Sequence, residues 1–265
     1  MRKAVIAALL STLCTALILA QKPKSWSEWT EKDAEKILND SGWAQTQVDT
    51  NTSELTYSPT SGSAGNTGNR AVPPTGPGLR AEQGSINRNR AAEGAYNQAV
   101  EIKFRVRFLS AKPIREAFAR LILLPQERVD PEHQLKATAD LKARMQQFVE
   151  RDFKDYIVLA ITFEASDGRL TGKAFQEFNS ATVATLKNNT YLERSDGRRL
   201  FLFDYRTPAA DGLGARFVFP RIVAGRDFLS SRDQEVRFHS EIGPNVKLDR
   251  RFKVSDMVYE GKLEY

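Results

Sequence analysis

Three acids stand where strand ends could gather them. Glu164 and Asp167 lie just past an apolar run from Tyr156 to Phe163, and Asp204 closes the run Leu200-Phe201-Leu202-Phe203. If those runs are neighbouring strands, their ends could bring carboxylates to about the 5–10 Å separation used in glycoside cleavage, where one acid donates a proton and the other acts as base or nucleophile. A plainer reading competes with this one. Asp and Gly after a strand are ordinary turn residues, and a chain with 33 acidic side chains yields such coincidences.

Cations form the second set. Lys103, Arg105 and Arg107 alternate with Ile102, Phe104, Val106 and Phe108, and Lys247, Arg251 and Lys253 project in the same way from another run. Should the two strands be neighbours, they make a six-cation patch suited to phosphate, acidic polysaccharide or a lipid headgroup surface. The commoner outcome is a solvated sheet face with cross-strand acidic partners. Arg250 falls in phase with Leu248, Phe252 and Val254, so it calls for a buried acid or a bulge. The three tryptophans, Trp26, Trp29 and Trp43, flank one short helix. They serve either as a stacking platform for sugar rings or as anchors docking that helix on a larger body. Two such rings bury enough surface, at about 25 cal/mol per Å², to hold a helix too short to be stable alone, which favours docking. The ligand-binding candidates are therefore Lys103, Arg105, Arg107 and Trp26.

Other chemistries lack their residues. The single cysteine, Cys14, lies in the leader, and His133 and His239 are not clustered, so neither cysteine catalysis, a disulfide framework nor a metal centre is indicated. Gly62-Ser63-Ala64-Gly65 has the wrong spacing for a serine nucleophile elbow. Gly212-Leu213-Gly214 is followed by Phe217 where a phosphate-cradling loop needs its last glycine. No cofactor is expected, and nucleic acid is disfavoured because the Arg-containing tract lacks interleaved aromatic rings.

The elements that must position these residues fall into regions of different composition. Arg2-Lys3, the uncharged run Ala4 to Ala20 and the polar start at Gln21 read as a secretory signal peptide over 1–20, with an uncleaved anchor as the minor alternative. Its removal lowers the formal charge from +6 to +4 and leaves a cysteine-free chain, which fits a bacterial periplasm or outer surface. Residues 21–57 hold the Trp-rich helix, opened by Thr30 with Asp33 and stopped at Gly42, then an extended segment. Residues 58–96 hold 7 of the 16 glycines and 4 of the 11 prolines, the composition of a disordered linker.

Residues 97–265 carry the core. The 102–108 alternation predicts a half-buried strand, and Tyr156 to Phe163 a central strand buried on both faces. Lys112-Pro113 opens one helix, limited by Pro125, and Asp130-Pro131 opens another. A further helix spans about 172–186, and Ser195-Asp196-Gly197 turns a hairpin between 191–194 and 199–205. Strands follow at 215–219, 235–239, 246–254 and near 259–263. The sum is an α+β fold with a mostly antiparallel sheet and packed helices. The function expected is a binding or structural role in the cell envelope, the partner being an anionic envelope polymer or another envelope protein. The alternative is a hydrolase of envelope polymers using Glu164, Asp167 or Asp204.

Overall fold

A computed structural model describes residues 24–51, 100–127, 135–166 and 168–265. The expected signal peptide, the 58–96 linker, Cys14, His133 and Asp167 lie outside the described residues. The described part is α+β, with every strand pairing antiparallel.

Helix α1 (Glu31–Asn39) starts with a capping box: Thr30 Oγ1 accepts the N–H of Asp33, and Asp33 Oδ2 accepts the N–H of Thr30. Gly42 after it has no left-handed backbone. Its requirement is steric, since a Cβ there would stand 2.0 Å from the main-chain oxygen of Asp256. Strand β1 (Ala44–Asn51) pairs along its whole length with β2 (Val100–Phe108), Ala44 opposite Arg107 and Asn51 opposite Val100. The two ends of the intervening 52–99 connection therefore leave the sheet side by side.

After β2 come α2 (Lys112–Glu127) and α3 (Leu135–Val149). Pro125 sits inside α2 rather than limiting it. Strand β3 (Tyr156–Ala165) is followed by α4 (Gly168–Ser180) and α5 (Val183–Leu186), the single helix expected over 172–186 being broken where Thr182 caps a new one. The remaining strands are β4 (Thr190–Arg194), β5 (Arg199–Phe201), β6 (Asp204–Arg206), β7 (Ala215–Pro220), β8 (Ile222–Val223), β9 (Arg226–Asp227), β10 (Glu235–Ile242), β11 (Val246–Lys253), β12 (Val258–Tyr259) and β13 (Lys262–Leu263). Gly197, at φ 82°, turns β4 into β5 as the Asp-Gly pair predicts.

The first sheet has the order β1-β2-β3-β7-β6 and the second β11-β10-β4-β5. Their inner faces meet through aromatic contacts: Phe108 lies 4.9 Å from Phe252, and Phe217 lies 5.7 Å from Phe238. Strand β3 is central and buried on both sides, as its continuous apolar run requires. Ile157, Leu159 and Ile161 enter the core between the sheets, while Val158 and Ala160 pack under Phe118 of α2 and Phe148 of α3. Phe178 of α4 stacks on Phe163 at 4.9 Å.

The sheets are joined at both margins. At one, Gln47 of β1 reaches the backbone of β11. At the other, the run read as a single strand over 199–205 crosses between sheets: the N–H of Leu202 bonds the Thr190 oxygen on β4, and the N–H of Phe203 bonds the Val218 oxygen on β7.

Candidate functional site

Of the expected carboxylates, the two among the described residues, Glu164 and Asp204, do not converge. Glu164 stands at the C-terminal end of β3 and is bound by Arg105 Nη2 at 2.5 Å, which holds its carboxyl below the usual range. Asp204 is opposite Val218, which is opposite Val158. At about 3.3 Å per residue, the six positions from Val158 to Glu164 separate the two acids by roughly 20 Å along the sheet, beyond glycosidase range. Asp204 instead accepts the N–H of Tyr205 at 2.8 Å and lies 3.4 Å from Arg206.

Nor do the cations form one patch. Strand β1 occupies the place beside β2, and β11 belongs to the other sheet. Lys103 is half-buried beside Glu101 and Glu164. Arg107 is not on a wet face at all: it is 6 % exposed, because α1 covers that end of β2. Its Nε donates to the Leu38 oxygen at 2.5 Å, Nη1 to Thr162 Oγ1 at 2.8 Å and Nη2 to Asn39 Oδ1 at 3.2 Å, so it closes the C-terminal turn of α1. Burial, reinforced by Arg105, pulls its guanidinium down to about 10, still charged at neutral pH. Lys247 and Arg251 carry cross-strand partners, Glu241 at 3.0 Å and Glu235 at 3.2 Å. Arg250 has neither a buried acid nor a bulge. The β10–β11 register is unbroken, and its Nε donates to Gln47 Oε1 at 3.2 Å.

Trp29 and Trp43 belong to the core, and Trp26 packs half-buried against it. Trp43 meets Tyr259 edge-on at 6.0 Å and donates its indole N–H to the Glu264 oxygen at 2.8 Å. The tryptophans dock the N-terminal segment rather than face solvent. His239 stacks on Tyr191 at 5.0 Å, with Nδ1 3.5 Å from Asp249. Among the described residues no group of three or more His, Cys, Asp or Glu side chains could hold a metal ion.

The exposed aromatics lie elsewhere. Where the chain crosses between sheets, Leu200 and Leu202 turn inward while Phe201 and Phe203 face solvent, 48 % and 58 % exposed. Tyr156, 40 % exposed, stacks on Phe203 at 5.6 Å. Tyr191 meets Phe201 at 5.8 Å, and the Arg199 guanidinium lies 4.4 Å above the Tyr191 ring. Three exposed rings, Tyr156, Phe201 and Phe203, thus mark this crossing, with Tyr191 buried behind Phe201. Tyr156 and Phe203 also wall a cleft of about 630 Å³ with an apolar floor that includes Val158 and Val218. Charges of both signs line it, among them Asp152, Asp204, Arg206 and Arg216. Asp152 is kept below the ordinary carboxylate range, chiefly by its hydrogen bond from Lys154. Glu116, whose carboxyl burial pushes up, is on α2 under Tyr259 and does not line the cleft.

Sequence reasoning passed over this strip because a Leu-Phe-Leu-Phe run offers apolar side chains to both faces and reads as wholly buried. The available signal was its shortness, with Arg199 before it and Asp204 after it. Comparison of the chain with protein-family models, with curated proteins and with solved structures gives no match.

Proposed function

We propose that the chain is an exported cell-envelope protein, periplasmic or extracellular, that binds an envelope polysaccharide without cleaving it. The observation that carries this reading is the Tyr156–Phe203 stack at the lip of the cleft. Two large rings stacked side by side at the surface make an apolar patch of the kind that marks a binding site. The carbon-bound hydrogens of pyranose faces stack on such rings, and the mixed charges beside them suit hydroxyl, amide and ionic substituents. Export rests on the basic start and apolar run of residues 2–20. Among the described residues no helix is long and apolar enough to cross a membrane. The hydrolase reading has less support, because Glu164 and Asp204, the two of its proposed acids among the described residues, are separated by most of the length of β3.

The test is retention of the purified chain on insoluble envelope polysaccharide, beside Tyr156→Ala and Phe203→Ala. Both variants should keep the wild-type melting curve within a few degrees and lose retention about tenfold, as truncation of a central contact does. Equal retention of all three removes the reading. New reducing ends released from the polymer would replace binding with hydrolysis.

A further inference from the structure

A second groove, of about 1090 Å³, is lined by Arg194, Arg198, Arg199, Arg221 and Arg226 against a single acidic side chain, Asp227. Two of these arginines are fixed from below. The Arg194 guanidinium lies 5.9 Å over the Phe228 ring and donates to the Phe228 oxygen at 2.8 Å. Arg221 lies 4.2 Å over the Tyr265 ring and donates to the Tyr265 main-chain oxygen. The Nε–H of each is buried and lacks an acceptor. Glu193, Asp196 and Asp233, which are outside the groove lining, pair with Arg194, Arg198 and Arg199. Arg221 and Arg226 have no carboxylate side chain as partner among the described residues. Guanidinium groups held over rings and tied to main-chain oxygens keep their forked donors oriented, which favours phosphate oxygens.

One wall of the groove is a hairpin, β8 and β9 joined by Ala224-Gly225, both at positive φ. Its aliphatic side chains are turned to water, Ile222 at 47 % and Val223 at 45 % exposed. A soluble phosphate ligand would explain the arginines and leave these two unexplained. A lipid surface accounts for both, since aliphatic side chains enter the acyl boundary while adjacent cations meet the headgroups. We propose that the groove seats the phosphate headgroups of an anionic lipid surface, with Ile222 and Val223 entering the acyl boundary. The site is separate from the aromatic cleft and does not depend on what the cleft binds.

Vesicle co-sedimentation tests it, using phosphatidylcholine with and without phosphatidylglycerol at low and high salt. The probes are the wild-type chain, Arg198→Glu/Arg226→Glu and Ile222→Asp/Val223→Asp. Each is prepared as the exported chain starting at Gln21, so the apolar run 4–20 does not contribute to vesicle binding. Every substituted side chain is exposed, so the melting curves should coincide. The wild type should bind vesicles containing phosphatidylglycerol, weaken as salt rises, and lose about tenfold in affinity in each double variant. Equal binding by all three chains, or equal binding to both vesicle types, overturns the proposal. So does loss in the arginine variant alone with full competition by inorganic polyphosphate, which would make the groove a site for soluble phosphate.

Discussion

Gln47 of β1 donates from Nε2 to the main-chain oxygen of Lys247 on β11 at 2.7 Å, while its Oε1 accepts the N–H of Asp249 at 3.0 Å. One buried amide thus stands in for a rung of backbone ladder where two sheets meet without pairing. Gln47→Ala leaves that carbonyl and that N–H without partners. At about 1–3 kcal/mol for each unsatisfied group, denaturant unfolding should show a loss of about 2–6 kcal/mol. Gln47→Glu, which keeps the acceptor but loses the donor, should fall between. A loss under about 0.5 kcal/mol for Gln47→Ala would mean that water replaces the amide at no cost.

Trp29 and Trp43 are core residues, so truncating either to Ala should lower stability by about 3–5 kcal/mol. Trp43→Phe should cost less, because it keeps most of the ring but loses the bond to the Glu264 oxygen. Thermal unfolding of the three variants decides this. Unchanged melting with lost polysaccharide retention would return the tryptophans to a ligand role.

Glu116 supplies a pH signature. Burial, the dominant cause, raises its folded pKa above the unfolded value despite the opposing hydrogen bond from Tyr259 and the charge of Lys112. Between those two values the folded chain binds more protons, so this group's contribution to stability falls as pH rises through the window. Above the folded pKa the penalty is fully present. Glu116→Gln, which can still accept from Tyr259, should therefore gain most relative to wild type at neutral pH, and the gain should shrink below the ordinary carboxylate pKa. Melting temperatures of both chains across acid and neutral pH check the trend. A gain independent of pH would show that Glu116 is not the titrating group.

The connection 52–99 starts and ends at registered partners, Asn51 and Val100. Replacing it by Asn-Gly should leave the sheet intact. Because loop-closure entropy grows with the logarithm of length, stability should hold or rise by up to about 2 kcal/mol. A drop of several kcal/mol in the unfolding free energy would reveal packing contributed from within 52–99.

What the sequence made legible follows from which forces are local. The Thr30–Asp33 box, the alternation through Phe108, the doubly buried run at 157–161 and the Asp196-Gly197 turn all act within a few residues and appear where expected. Partition of the strands into two sheets depends on partners far apart in the chain, and so did not. Arg107 shows the difference: its period-2 position says outward, yet outward is where α1 lies, and its guanidinium donates to that helix's Leu38 carbonyl and to the Asn39 side chain. The distance between Glu164 and Asp204 was illegible for the same reason. Glu164 and Asp204 each stand at a strand end, but only the β6–β7–β3 register reveals that the ends are opposite ones.

Trp43 and Glu264 are bonded across 221 positions, and Gln47 and Lys247 across 200. A chain emerging N-terminus first can pair β1 with β2 and set α1 against α2 early, but it cannot close the seam from Gln47 to β11 or tie Trp43 to Glu264 until almost the last residue is available. Joining the first sheet to the second is therefore the long-range step, slow relative to local hairpins.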